Sequence, residues 1–233
     1  RRPWKNAGVT AVTLEFDQGT LLLSPAGLPE EVVPSCFVKD ARSGGRYRAI
    51  AMTYRQALTH LIRSGCTVDD RARQYAELEL PPGRDRKPYP HQQEALDAWE
   101  AAGKRGMVIL PTGAGKTFVA ELAIARVARS TLVIVPTLDL VAQWATVLEE
   151  AFGQPVGMIG GGSFDVQPLT VSTYDSAYLH MERLGDKFGL IVFDEAHHLP
   201  SEAYAQAAEL AIAPFRLGLT ATMERTDGGH DRL

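Results

Sequence analysis

The sequence predicts a parallel α/β sheet lobe preceded by a small α+β unit. Three observations carry that reading. From residue 89 onward, short and wholly apolar segments alternate with helical patterns. Residues 8–80 show a hairpin and a helix, interrupted by prolines. Between them, Pro81-Pro82-Gly83-Arg84-Asp85-Arg86-Lys87-Pro88 is polar, proline-rich and charged, as a linker would be. Residues 1–80 and 89–233 are therefore expected to be two domains joined by 81–88.

In the front unit, Val9 to Phe16 is rich in β-branched residues, Asp17-Gln18-Gly19 turns, and Thr20 to Leu23 returns. Gly19 can supply the positive φ that a tight hairpin turn needs. Pro25, Pro29 and Pro34 then break the chain. Met52 to Ser64 places Tyr54, Leu58, Leu61 and Ile62 at helical spacing, with Gly65 positioned to end the helix. In the second unit, Met107–Leu110, Leu132–Val135, Leu169–Ser172, Leu190–Phe193 and Arg216–Leu219 read as buried strands. Gln92–Ala101, Lys116–Ala128, Leu138–Phe152, Ser176–Arg183 and Ser201–Ala211 read as the helices between them. Strands apolar on both faces and separated by helices indicate a parallel sheet. Gly160-Gly161-Gly162 reads as a turn.

Composition excludes several classes. Gly and Pro total 35 of 233 residues without a period, which is neither collagen-like nor disordered. No apolar run approaches the roughly 18 residues needed to cross a bilayer, so a soluble, intracellular protein is expected. Cys36 and Cys66 are too few for a disulfide scaffold and read as ordinary thiols. The net charge of −4 is unevenly spread. Residues 1–90 hold 14 Lys/Arg against 10 Asp/Glu, a balance of +4, and residues 91–233 hold 10 against 18, a balance of −8. A basic front fits a nucleic-acid contact, with Arg42, Arg46 and Arg48 its densest cluster.

Three motifs carry chemistry. Strand Met107–Leu110 runs into Pro111-Thr112-Gly113-Ala114-Gly115-Lys116-Thr117 and then a helix, the strand-loop-helix context a phosphate-binding loop requires. Gly113, Ala114 and Gly115 would bring backbone N–H groups to phosphate oxygens at a helix N-terminus. Lys116 would reach the β- and γ-phosphates and Thr117 would offer its hydroxyl to Mg²⁺. Leu110 stands where the strict pattern has Gly. Next, Leu190-Ile191-Val192-Phe193 ends in Asp194-Glu195-Ala196-His197. Asp194 would hold Mg²⁺, and Glu195 would orient and polarise the attacking water. His197 and His198 lack further ligands at zinc spacing. Last, Gly218-Leu219-Thr220-Ala221-Thr222 ends another apolar strand.

Together these residues resemble the helicase motors of superfamily 2, with a phosphate loop, an Asp-Glu-Ala-His box and a Thr-Ala-Thr coupling motif. The resemblance implies a RecA-like lobe, ATP and Mg²⁺ as cofactors, and coupling through His197, Thr220 and Thr222. It places the adenine-reading amide in Tyr89-Pro90-His91-Gln92-Gln93 at Gln92, with Gln93 the alternative. It also makes Pro136 and Thr137, in Val135-Pro136-Thr137-Leu138, strand-contacting, and Thr173 a weaker candidate. Lys39-Asp40-Ala41-Arg42, Arg48 to Arg55 and Asp69-Asp70 narrow the resemblance to XPB-type helicases in their compact prokaryotic form. There the front domain resembles a damage-recognition module. Met223-Glu224-Arg225-Thr226-Asp227 is similar to that group's Arg-Glu-Asp motif, with Thr226 replacing the middle residue and Arg225 a nucleic-acid candidate.

The resemblance implies the ATP-binding half of a DNA-dependent ATPase, helicase or duplex translocase acting in repair or transcription-linked DNA opening. Expected partners are duplex or forked DNA, a second RecA-like lobe of a longer parent chain, and a repair nuclease or transcription factor. The family's catalytic arginines lie on that second lobe, and neither Arg225 nor Arg232 is expected to replace them, so this chain alone is expected to be nearly inactive. The competing readings are the motor half of a restriction or remodelling translocase, and a nucleotide-regulated DNA-binding and docking module.

Overall fold

The computed structural model describes residues 10–81, 86–198 and 202–221. Strand β1 (Ala11–Asp17) and β2 (Thr20–Ser24) form the expected antiparallel hairpin, with Asp17 opposite Thr20. Gln18 and Gly19 both have positive φ, 47° and 82°, as a two-residue turn matched to the strand twist demands. Gly19 is required twice, since a Cβ there would also collide with Leu210.

Three further strands were not expected: β3 (Val38–Asp40), β4 (Arg46–Ile50) and, after helix α1 (Tyr54–Arg63), β5 (Thr67–Asp70). They complete a sheet of order β3-β4-β2-β1-β5, with β5 parallel to β1. Their charged sequences hide the strand period. In β4, Arg46 pairs with Glu15, and Arg48 pairs with Asp17 and Asp40, so cross-strand ion pairs cover this face in place of apolar packing. Helix α1 buries Tyr54, Ala57 and Leu61 against Leu14, Leu21 and Leu23. Ile62, expected on the same face, is exposed, because one residue rotates the helix about 100° past Leu61.

The second unit contains α2 (Pro90–Ala101), β6 (Arg105–Ile109), α3 (Lys116–Val127), β7 (Thr131–Val135) and α4 (Leu138–Phe152). It continues through β8 (Val156–Gly160), β9 (Ser163–Phe164), β10 (Leu169–Thr173), α5 (Tyr174–Leu184), β11 (Leu190–Phe193), α6 (Glu202–Glu209) and β12 (Phe215–Thr220). The sheet order is β6-β12-β11-β7-β10-β8-β9, parallel except where β8 and β9 form a hairpin. The α/β expectation holds. Val133 and Val135 of β7 pack towards α3 and α4, while Leu132 and Ile134 pack towards α5 and α6. That two-sided burial is why the strand reads as continuously apolar.

One expectation fails in detail, and one hairpin was not expected. Strand β6 is an edge strand, with Ile109 exposed, so it is not buried on both faces as its apolar sequence implied. The triple glycine does turn, but inside the hairpin of β8 and β9. Glycines in Val156-Gly157-Met158-Ile159-Gly160 diluted the strand signal.

The two units touch closely. Ile212, in the loop after α6, is fully buried within the front unit's core. The chain ahead of the linker lies along the parallel sheet. Gln74 N–H donates to the Asp186 carbonyl, Leu78 N–H to the Ala128 carbonyl, and Ser130 N–H to the Ala76 carbonyl. Leu78 and Leu80 pack against the second unit's core. No helix among the described residues is long and apolar enough to cross a membrane.

Candidate functional site

The carboxyl ends of β6, β12, β11, β7 and β10 lie side by side along one edge of the sheet. This is where parallel α/β sheets bind ligands, because loops and helix N-termini converge there. Among the described residues, the phosphate loop, Asp194-Glu195-Ala196-His197, Thr220, Thr137 and Thr173 sit on that edge. Thr222 and Arg225 lie outside the described residues.

The loop after β6 is anchored by Leu110 N–H donating to the Thr220 carbonyl, 3.0 Å, and is closed by Ala114 N–H donating to the Pro111 carbonyl, 3.1 Å. Gly113 and Gly115 both have φ of 81°, the left-handed region that favours glycine. Gly115 is the N-cap of α3, whose first N–H groups have no intrahelical acceptor. A Cβ on Gly115 would strike the Gln92 amide nitrogen. Gln92 is buried. Its Nε2 donates to the Ala114 carbonyl at 2.9 Å, and its Oε1 accepts from Tyr89 N–H at 3.0 Å. One end of this amide therefore braces the loop and the other caps the start of α2, in the place assigned to the adenine reader. Gln93 Nε2 donates to Asp97 on the surface of α2.

Asp194 leaves the end of β11 almost fully buried. Its Oδ1 accepts from Glu195 N–H at 3.0 Å, and its Oδ2 accepts from the Trp144 indole at 2.8 Å. Burial pushes its carboxyl above the usual range. The Trp144 donor opposes that shift, and the neighbouring Glu195 charge adds to it. Glu195 adopts φ of 49°, an uncommon conformation for a side-chain-bearing residue and one that clusters at functional sites. Its carboxylate lies 3.8 Å from Lys116 Nζ and 3.4 Å from His197 Nδ1. His197 Nδ1 is also 3.3 Å from the Thr220 hydroxyl. One chain of contacts thus runs from the loop lysine through Glu195 and His197 to Thr220, joining α3, the segment after β11 and the end of β12.

Thr137 and Thr173 are the N-caps of α4 and α5, each accepting from a backbone N–H in the first turn. Thr137 is exposed beside Pro136, whereas Thr173 is buried and shares its hydroxyl with Ser176. Strands β7 and β10 are neighbours, so the two helix starts lie together. Arg42, Arg46 and Arg48 cluster on the front unit, but Arg46 and Arg48 are ion-paired there.

Residues 85–225 match the family described as type III restriction enzyme, res subunit. The chain belongs to that family. Its front segment, residues 14–72, matches the damage recognition domain of the xeroderma pigmentosum group B helicase. The resemblance to XPB-type helicases is thereby borne out. The DNA 3'-5' translocase XPB2 of Sulfurisphaera tokodaii is 43% identical over 186 residues, covering 79% of this chain and 42% of the relative. The DNA 3'-5' helicase XPB of Mycobacterium tuberculosis is 36% identical over 149 residues, covering 59% and 27%. The chain spans less than half the length of these curated relatives. Among solved structures, the UvsW helicase of bacteriophage T4 superposes with a TM-score of 0.53 at 18% identity, over 96% of this chain and 95% of that one. That likeness shows the shared fold.

The site fits the nucleotide and cation implied for the family. The described residues contain no cluster of three or more His, Cys, Asp or Glu able to cage a metal. Mg²⁺ does not need such a cage, because it keeps waters and takes one or two protein oxygens plus phosphate. Thr117 and Asp194 would supply those oxygens.

Two supporting residues were missed from sequence. Helical spacing on α4 marks Trp144 as a core residue, and nothing local to Tyr174 marks it as a support. Yet the Trp144 indole holds the Asp194 carboxylate, and the Tyr174 hydroxyl donates to the Asp194 carbonyl at 2.9 Å. Only the convergence of α4, α5 and β11 reveals them. Trp144→Phe keeps the ring volume nearly intact but removes a donor to a buried carboxylate. A hydrogen bond to a charged group contributes about 1.5–3 kcal/mol, and thermal melting is expected to show a loss of that order.

Proposed function

We propose that this chain is the ATP-binding half of a DNA-dependent helicase or duplex translocase of the XPB type, with residues 1–80 and 89–233 as its two domains. The contact of Lys116 with Glu195 across the mouth of the phosphate loop carries the reading. It holds a phosphate-binding cation and a water-orienting carboxylate in direct contact, 3.8 Å apart, where a terminal phosphate would come between them. The helix starts at Thr137 and Thr173 flank the same edge, where backbone N–H groups suit a nucleic-acid backbone without reading its sequence.

In this reading Gly113, Gly115 and the N-terminus of α3 cradle the phosphates, Lys116 neutralises the terminal ones, and Glu195 orients water for in-line attack. Thr117 and Asp194 would hold Mg²⁺, which when bound would supply positive charge against the charge developing on the phosphoryl group. His197 and Thr220 would report the state of Glu195 to the neighbouring strand β12. The front-segment match favours this reading over a restriction or remodelling motor. DNA is the expected substrate, and a second RecA-like lobe the expected partner.

The test is thermal melting with Mg²⁺–ATP. A ligand at 100 times its Kd adds about 2.7 kcal/mol, which for a chain of this size raises Tm by roughly 5–11 °C. Lys116→Ala is expected to abolish the shift. An equal shift in the variant would remove the loop from the reading.

A further inference from the structure

The structure redistributes the positive charge seen in the sequence. On the front unit, Arg46 and Arg48 are matched by Glu15, Asp17 and Asp40, Arg71 by Asp69, and Arg73 by Asp70. Three other arginines lie together with no carboxylate within ion-pair distance among the described residues. Arg55 and Arg63 are on α1, and Arg105 begins β6. With His60, Gln56 and Thr59 they line an open cleft of about 590 Å³ between the two units.

The cleft is built rather than incidental. Arg55 is held by donating to the Gly103 carbonyl at 2.6 Å, with its guanidinium 5.9 Å from the Phe215 ring centroid. The His60 Nε2 atom is buried without a hydrogen-bond partner, which is costly unless a ligand or water supplies one. Burial, and then the like charge of Arg55, push the Arg105 guanidinium below its usual range. An anion between the arginines would relieve that repulsion. Guanidinium groups suit phosphate because their planar fork presents parallel N–H donors. The cleft has more room than a lone phosphate fills, and its cations come from both units, as an extended polyanion would need. All this occurs in a chain whose net charge is −4.

We propose that this cleft seats the phosphate backbone of a nucleic-acid duplex, using Arg55, Arg63 and Arg105. The proposal deepens the function proposed above and rests on its nucleic-acid reading. The seat lies at the opposite end of β6 from the phosphate loop, so it is separate from the nucleotide site and from the helix starts at Thr137 and Thr173. A strand held here would also pin the front unit against the lobe, since α1 and β6 each supply part of the seat.

The test is fluorescence anisotropy of this chain with short duplexes of scrambled sequence, titrated across salt. Each phosphate contact contributes about 0.9 to the slope of log K against log salt. The double variant Arg63→Gln/Arg105→Gln is expected to flatten the slope by about 1.8, and Arg63→Gln alone by about 0.9. Arg63 is exposed, so the single variant tests the seat even if the double variant folds poorly. Arg42→Gln, away from the cleft, is expected to change the slope less than Arg63→Gln. An unchanged slope in Arg63→Gln would overturn the seat alone. Displacement of the duplex by inorganic pyrophosphate, at concentrations where chloride of equal ionic strength has no effect, would reassign the cleft to a free phosphate ligand. Equal displacement by a poly-glutamate peptide would reassign it to an acidic protein. Failure of the unaltered chain to bind any duplex at low salt would reject the nucleic-acid reading and the seat together.

Discussion

Glu195→Gln is expected to lower DNA-stimulated ATP turnover by about 10²–10⁴-fold, the usual worth of a positioned acid–base group. Nucleotide binding should stay within a few-fold of the unaltered protein. The assay is phosphate release by the two-lobed protein that the family implies, with nucleotide affinity measured alongside. Glutamine keeps the shape of the side chain and can occupy the same left-handed backbone, φ of 49°. It loses the charge that faces Lys116 at 3.8 Å and that would orient water in the proposed reaction. Freed from that partner, Lys116 has more reason to engage phosphate, so binding and turnover should separate. Turnover at the original rate would show that another group orients the water. A parallel loss of binding would show that Glu195 shapes the loop.

Arg216→Met is expected to destabilise the fold by about 3–5 kcal/mol, because buried carbonyl acceptors left unpaired cost about 1–3 kcal/mol each. For a chain of this length that is a fall in Tm of roughly 6–20 °C. Arg216 is fully buried on β12, yet remains charged at neutral pH. Burial, and then the nearby charge of Arg105, push its guanidinium down to about 9. It donates to the carbonyls of Ala208, Ala211 and Ala213 at 2.8, 2.7 and 3.3 Å. These lie at the end of α6 and just beyond, where carbonyl groups lack intrahelical donors and the helix dipole favours a cation. Methionine fills much of the volume and satisfies none of the carbonyls. Thermal melting of both proteins decides the matter; a change under about 1 kcal/mol would mean that water replaces the guanidinium without difficulty.

Arg216 also shows what local sequence reading loses. It sits in Phe215-Arg216-Leu217-Gly218-Leu219, which reads correctly as a buried strand, but nothing nearby signals that the arginine is itself buried. Its acceptors belong to a different element. Trp144 is similar. Its position on α4 makes it core by periodicity, and 50 residues separate it from the carboxylate it holds. Gln92 illustrates the reverse case. The resemblance identified an important amide, while the fold gave it one backbone partner in the phosphate loop and one at the start of α2. The arginines of the front unit were legible as a cluster, but their pairing was not, because Glu15, Asp17 and Asp40 reach them only across the sheet.

The sequence by itself determined the alternation of buried strands and helices, the hairpin at Gly19, and the placement of Gly115, Lys116, Asp194 and Glu195 at strand or helix ends. These are local properties: apolar periodicity, positive φ and motif spacing are written within a few residues of one another. Only the tertiary structure decided that β6 is an edge, that Ile212 is buried in the front unit, and that His197 meets Thr220. It also decided which arginines are left without carboxylates. Those outcomes depend on strand order and on contacts between residues far apart in the chain. Burial and electrostatic pairing act through distance in space, so no pattern of neighbouring residues records them.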